Sequence, residues 1–174
     1  LLAKDVNEFK VNTVTHFTGK TVYRGAPIVN KGPLPPRVGE RTTYNIVLEI
    51  KNFTNDIRDA VAKTFLPTNV RWENAASAPQ GVVDFNKASG ELVWDIGVVK
   101  AGTGVLRPSL VAAMQVSILP SEFDVNNILQ LTDPIDFTAI DTFTGKKVNL
   151  KIGNLTTILS PEETKGSSEW RVAK

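Results

Sequence analysis

The sequence predicts an all-β fold, an immunoglobulin-like antiparallel β-sandwich, on three observations. Apolar residues recur with a period of two in several separate segments, short polar links with a glycine stand between the apolar runs, and no helix-length periodic segment interrupts them. Many short strands joined by such turns form two packed sheets rather than a layered α/β structure.

The clearest segment is 42–51, where Tyr44, Ile46, Leu48 and Ile50 fall on one face and Thr43, Asn45, Glu49 and Lys51 on the other, with Val47 the exception. Residues 109–118 repeat the pattern with Leu110, Ala112, Met114, Val116 and Ile118 against Ser109, Gln115 and Ser117. In 91–96 the set is Leu92, Trp94 and Ile96. From these three segments the predicted core is Tyr44, Ile46, Leu48, Leu92, Trp94, Ile96, Met114 and Val116, with Trp94 as the plug whose indole N–H needs a buried acceptor. Further strands are expected at 8–17, 21–24, 57–64, 69–72, 82–86, 136–144 and 147–152. The links Thr18-Gly19-Lys20, Asn86-Lys87-Ala88-Ser89-Gly90 and Thr144-Gly145-Lys146 read as hairpin turns. Residues 25–39 carry Pro27, Pro33, Pro35 and Pro36 and are expected to form an extended crossover along a sheet edge. In 121–131 the alternatives are a loop and a short helical turn capped by Ser121, with Asp124 in reach of its first amides. Beyond Gly153 the alternation fades. The expected organisation is therefore one module over 1–153, comprising N-terminal strands, crossover and sandwich, followed by a tail or linker over 154–174.

The chain is long enough to bury a core without staples, and it contains no cysteine. That excludes disulfides, thiolate-bound metals and thiol nucleophiles. Twenty basic residues against eighteen acidic ones give a net charge of +2. The basic residues are scattered, Lys146-Lys147 being the only adjacent pair, which argues against nucleic acid as a partner. No apolar run approaches the ~18 residues of a membrane span, so membrane contact by this stretch is not expected. A chain that opens at Leu1 reads as a piece of a longer protein.

Few residues are equipped for chemistry. His16 is the single histidine and has no Gly-x-Ser-x-Gly elbow to serve, so neither a catalytic triad nor a two-histidine metal centre is expected. Asp133, Asp136 and Asp141 are the candidate calcium ligands. Against that reading, the odd spacing of Asp136 and Asp141 sends them to opposite faces of a regular strand, and Asp133 serves equally as a turn former. A sugar-stacking row would have to draw on Trp72, Trp94, Trp170, Tyr23 and Tyr44, of which Trp94 and Tyr44 are more simply core. Asn52-Phe53-Thr54 and Asn154-Leu155-Thr156 match the glycosylation acceptor pattern. No catalytic residue, cofactor or structural metal is expected.

Three stretches together resemble a known family. These are Val38-Gly39-Glu40-Arg41-Thr42-Thr43-Tyr44 with Asn52 and Asn55, then Phe65-Leu66-Pro67-Thr68-Asn69-Val70-Arg71-Trp72, then the run from Asn86 through Gly90, Trp94-Asp95 and Gly97 to Gly104. The pattern is similar to the conserved-repeat, Ig-like domain of unknown function found, often in tandem, in large bacterial cell-surface proteins, with a flavour of those of candidate-phylum bacteria. The resemblance covers about residues 32–148 and implies the sandwich fold, an extracellular location tethered through other parts of the protein, and a non-enzymatic spacer or assembly role. The partners it implies are neighbouring modules of the same or another surface protein, with adhesion to a glycan or a host or cell-surface protein as the alternative. Isolated, the module is expected to be a monomer.

Overall fold

The computed structural model describes residues 9–174. Its strands, in chain order, are β1 (Thr15–Val22), β2 (Thr42–Asn52), β3 (Ile57–Phe65), β4 (Val70–Ser77), β5 (Val82–Asn86), β6 (Glu91–Val99), β7 (Leu110–Ile118), β8 (Ile135–Asp141) and β9 (Lys147–Ile152). They build one sheet in the order β1-β2-β7-β4 and a second in the order β5-β6-β3-β8-β9, and every pairing is antiparallel. The fold is an immunoglobulin-like β-sandwich. Because β2 pairs Thr42 with Ile118 and Asn52 with Thr15, the strands run between two poles, here called the Thr42 pole and the Asn52 pole.

Alternation places the core as the sequence predicts. Tyr44, Ile46, Leu48, Leu92, Trp94, Ile96, Met114 and Val116 are all buried between the sheets, each contributing about 1.5–3 kcal/mol for its aliphatic or aromatic surface. The Trp94 Nε1–H donates to the carbonyl of Gln80 at 2.9 Å, the acceptor its burial demands. Tyr44 is fully buried with no hydrogen-bond partner for its hydroxyl among the described residues, and desolvation pushes its pKa well up.

Four regions depart from expectation, the first being β1. The turn expected at Thr18-Gly19-Lys20 does not exist: β1 runs straight through it, and Gly19 pairs with Leu48 in mid-strand. A Cβ on Gly19 would stand 2.5 Å from Ile152 Cδ1 and 3.0 Å from Leu48 Cδ2, so glycine is there for close packing rather than for turning. The strand expected over 8–17 begins only at Thr15, and its first residue, Glu8, lies outside the described residues together with 1–7.

Second, the crossover at 25–39 does not follow an edge. Its first half lies across the outer face of β2 and β7, so residues whose polarity suggested a wet face are buried: Asn45 at 0%, Thr43 at 8% and Gln115 at 8% exposure. Polar side chains clamp the crossover there. Asn45 Nδ2 donates to Ile28 O (2.9 Å) and Asn30 Oδ1 (2.8 Å), Gln115 Nε2 donates to Val29 O (2.9 Å), and the Lys31 N–H donates to Thr43 Oγ1 (2.7 Å). The side-chain amides of Asn45 and Gln115 thus donate to the crossover's carbonyls, and the Thr43 hydroxyl oxygen accepts its Lys31 N–H. Val47, out of phase in the sequence, packs with Val22, Ala113 and Ala26 on the same covered face.

Third, the segment expected as a tail is built into the sandwich. Leu159 and Val172 are core residues, Leu159 bridges to Thr21 at the edge of β1, and Ala173 bridges to Arg37. Fourth, β4 continues past Trp72 to Ser77 through a bulge, where the register with β7 shifts between Trp72 and Ala76 and Asn74 takes a φ of 55°.

At 121–131 the short-turn alternative holds for three residues, a 3-10 turn over Glu122–Asp124. The Asp124 carboxylate accepts both the backbone N–H and the hydroxyl of Ser121, each at 2.7 Å.

Candidate functional site

The residues singled out for chemistry do not converge. His16 stands on the outer side of β1 with its ring edge-on to Phe53, centroids 5.0 Å apart. Asp133 accepts from Gln130 Nε2 at 2.8 Å near the Thr42 pole, Asp136 faces solvent beside Lys151 Nζ at 3.2 Å, and Asp141 is buried at the Asn52 pole. The odd spacing on β8 does what it predicts, and among the described residues no three His, Cys, Asp or Glu side chains gather as a metal site.

Asp141 is a structural knot. Its carboxylate accepts the Thr13 N–H (2.7 Å), Asn55 Nδ2 (3.0 Å), the Phe143 N–H (2.9 Å) and the Thr144 N–H (3.0 Å). Burial pushes its pKa up, but the hydrogen bonds from Asn55, Thr13, Thr144 and Phe143 outweigh that and bring it down to about 2. The knot ties the N-terminal segment, the β2–β3 connection and the β8–β9 hairpin together. Beside it Asn52, fully buried, accepts from the Thr13 and Thr15 hydroxyls and donates to Asn55 O, so the first glycosylation match is a packed amide. Lys146 and Lys147 are exposed at the tip and base of the β8–β9 hairpin.

The aromatic residues form no row. Trp94 and Tyr44 are in the core, Tyr23 packs edge-on to Tyr44 at 5.9 Å, and the Trp170 Nε1–H donates to Thr164 Oγ1 at 2.9 Å within the C-terminal segment. Trp72 alone is presented differently, 6.2 Å from Phe85 across the gap between β4 and β5.

That gap is a cleft of about 990 Å³ between the two edge strands of opposite sheets. Trp72, Val83 and Phe85 supply its apolar surface, and Arg71, Asp84 and Ser89 are among its polar groups. At the Thr42 pole two turns frame it. The Leu66 N–H donates to Gly90 O (2.9 Å), and Asn86 Oδ1 accepts the N–H groups of Ala88 (2.9 Å) and Ser89 (3.2 Å). Gly90 sits at a φ of 76°, which this turn requires. Sequence reasoning had Trp72 but missed Phe85. The two-residue step from Val83 to Phe85 was the available signal, without a partner strand to show which way it faced.

No family model matches the chain, and no curated protein matches it. Among solved structures, the three N-terminal domains of the type V pili tip protein of Porphyromonas gingivalis superpose with a TM-score of 0.48 at 10% identity, over 63% of this chain and 23% of that one. A variant of the major pilin subunit of Bacillus cereus gives 0.48 at 10% identity, over 83% of this chain and 41% of that one. The full-length major pilin of Corynebacterium diphtheriae gives 0.46 at 13% identity, over 82% and 35%. The chain thus spans less than half the length of each. At such scores and identities none of them bears on what this chain does.

Proposed function

We propose that the chain is a non-enzymatic structural module of a bacterial cell-surface protein, a spacer or assembly unit that passes the polypeptide from one pole of a rigid sandwich to the other. The supporting observation is where the chain enters and leaves. Near the N-terminus, Val14 O accepts the Phe53 N–H at the Asn52 pole; near the C-terminus, Ala173 exchanges hydrogen bonds with Pro36 and Val38 at the Thr42 pole. Modules before and after it then stand at opposite ends, and each copy adds about the length of β2, eleven residues or roughly 36 Å. Neighbouring modules are the partners, outside the cell, with tethering to the membrane supplied elsewhere in the protein. No helix among the described residues is long and apolar enough to cross a membrane.

Small-angle scattering on two full chains joined directly tests this reading. The expected maximum dimension is close to twice that of one chain; a compact particle with the copies side by side would overturn it. The second reading, adhesion to a protein or glycan, draws on the Trp72–Phe85 cleft, and binding of the isolated chain to an arrayed glycan would favour it.

A further inference from the structure

We propose that the cleft between β4 and β5 receives the N-terminal segment of a second copy of this chain as an added β-strand, with Phe9 and Val11 seated over Trp72, Val83 and Phe85. This inference rests on the end-to-end arrangement above and names the contact that holds it.

The donor is visible in the sequence and in its exposure. Phe9 and Val11 are 85% and 67% exposed, belong to no strand, and are two residues apart, so an extended backbone turns both to one face and Lys10 to the other. Among the described residues their own chain provides no seat for them. Val11 O is held by Asn55 Nδ2 at 2.7 Å at the Asn52 pole, whereas the cleft is framed by Leu66 and Gly90 at the Thr42 pole. The five residues 9–13 reach at most about 17 Å, roughly half the distance between poles.

The acceptor is equally specific. β5 pairs on one side only, with β6, leaving an unpaired edge beside the cleft. Val83 and Phe85 are half-buried towards the cleft while Asp84 is exposed between them. A strand laid along β5 with Phe9 and Val11 inward brings Lys10 beside Asp84, opposite charges on adjacent strands. The poles match as well: the Thr42 pole, where a following copy begins, is the pole at which Leu66, Ser89 and Gly90 line the cleft.

The absence of cysteine makes a clean cross-linking test possible. Full chains carrying Val11→Cys are mixed with full chains carrying Val83→Cys under mild oxidation, at about millimolar concentration to imitate linked neighbours. Val98→Cys, a 45%-exposed position on β6, replaces Val83→Cys in the control mixture. The expected result is at least tenfold more mixed disulfide dimer with Val83→Cys than with the control, and loss of that excess when Phe9→Asp is added to the Val11→Cys chain. Phe9 is exposed, so this last change leaves folding intact, and thermal melts of each cysteine variant establish that it is folded. Equal yields from the two mixtures, or an excess that survives Phe9→Asp, overturns the strand-addition contact. The spacer reading stands or falls separately on the scattering of the joined pair.

Discussion

The two flanks of the sandwich are finished in opposite ways. On the β1/β9 flank the seam between the sheets is filled: Gly19 lets Ile152 and Leu155 close over it, Leu159 and Val172 enter the core, and Trp170 packs on the outside. Charge and hydrogen bonds fix that cover. The Glu163 carboxylate accepts the backbone N–H groups of Tyr23 (2.7 Å) and Arg24 (3.0 Å), and Arg24 Nη2 meets Glu169 Oε1 at 2.6 Å. On the β4/β5 flank no segment among the described residues covers the seam. β4 departs from its regular register with β7 at the Asn74 bulge, and Trp72 and Phe85 remain half-buried near each other. A sandwich is held by one closed flank and can offer the other, because the stability of the core does not require both.

The strongest way to break that contrast is to remove the cover. Truncation after Ile152 deletes Leu159 and Val172 and opens their neighbours to water. The expected loss exceeds about 5 kcal/mol, comparable to the whole stability of an ordinary domain, and it is read as disappearance of the cooperative thermal transition. Retention of a sharp transition would return 154–174 to the status of a tail.

A matched pair of substitutions sharpens the comparison. Leu159→Ala on the closed flank is expected to cost about 2–5 kcal/mol in denaturant melts, the range for a cavity in a packed core. Phe85→Ala on the open flank is expected to cost less, about 1–2 kcal/mol, since Phe85 is only partly buried against the core. Equal losses would mean that the open flank is as structural as the closed one.

A further prediction concerns acid stability, at the knot that ends the closed flank. The Asp141 pKa is lowered from the ordinary 3.8 to about 2, so the stability it contributes is full above about pH 4 and is lost as the pH falls through about 2. Melting temperature should be insensitive to Asp141 titration near neutrality and should fall below about pH 4. Asp141→Asn should remove that part of the acid slope while lowering stability at neutral pH, because its neutral amide is a poorer acceptor for the four donors around it.

How much of this was legible follows from what a period of two encodes. It tells which residues share a face, so the inward sets of β2, β6 and β7, the burial of Trp94 and the opposite facing of Asp136 and Asp141 could all be read from local spacing. It does not tell what lies against a face. Thr43, Asn45 and Gln115 look like a solvated row until a crossover from earlier in the chain covers them, and Gly19 looks like a turn until Ile152, distant in sequence, occupies the space a side chain would need. The candidate site was hidden for the same reason, as Trp72 and Phe85 meet only because two edge strands of different sheets end on the same flank. By itself the sequence determined most of the strands, the inward faces of β2, β6 and β7 and the need for an acceptor at Trp94, since these depend on backbone geometry and desolvation at single residues. Only the tertiary structure decided which outer face is covered, which flank is sealed and which stays open, because those depend on contacts between segments far apart in the chain.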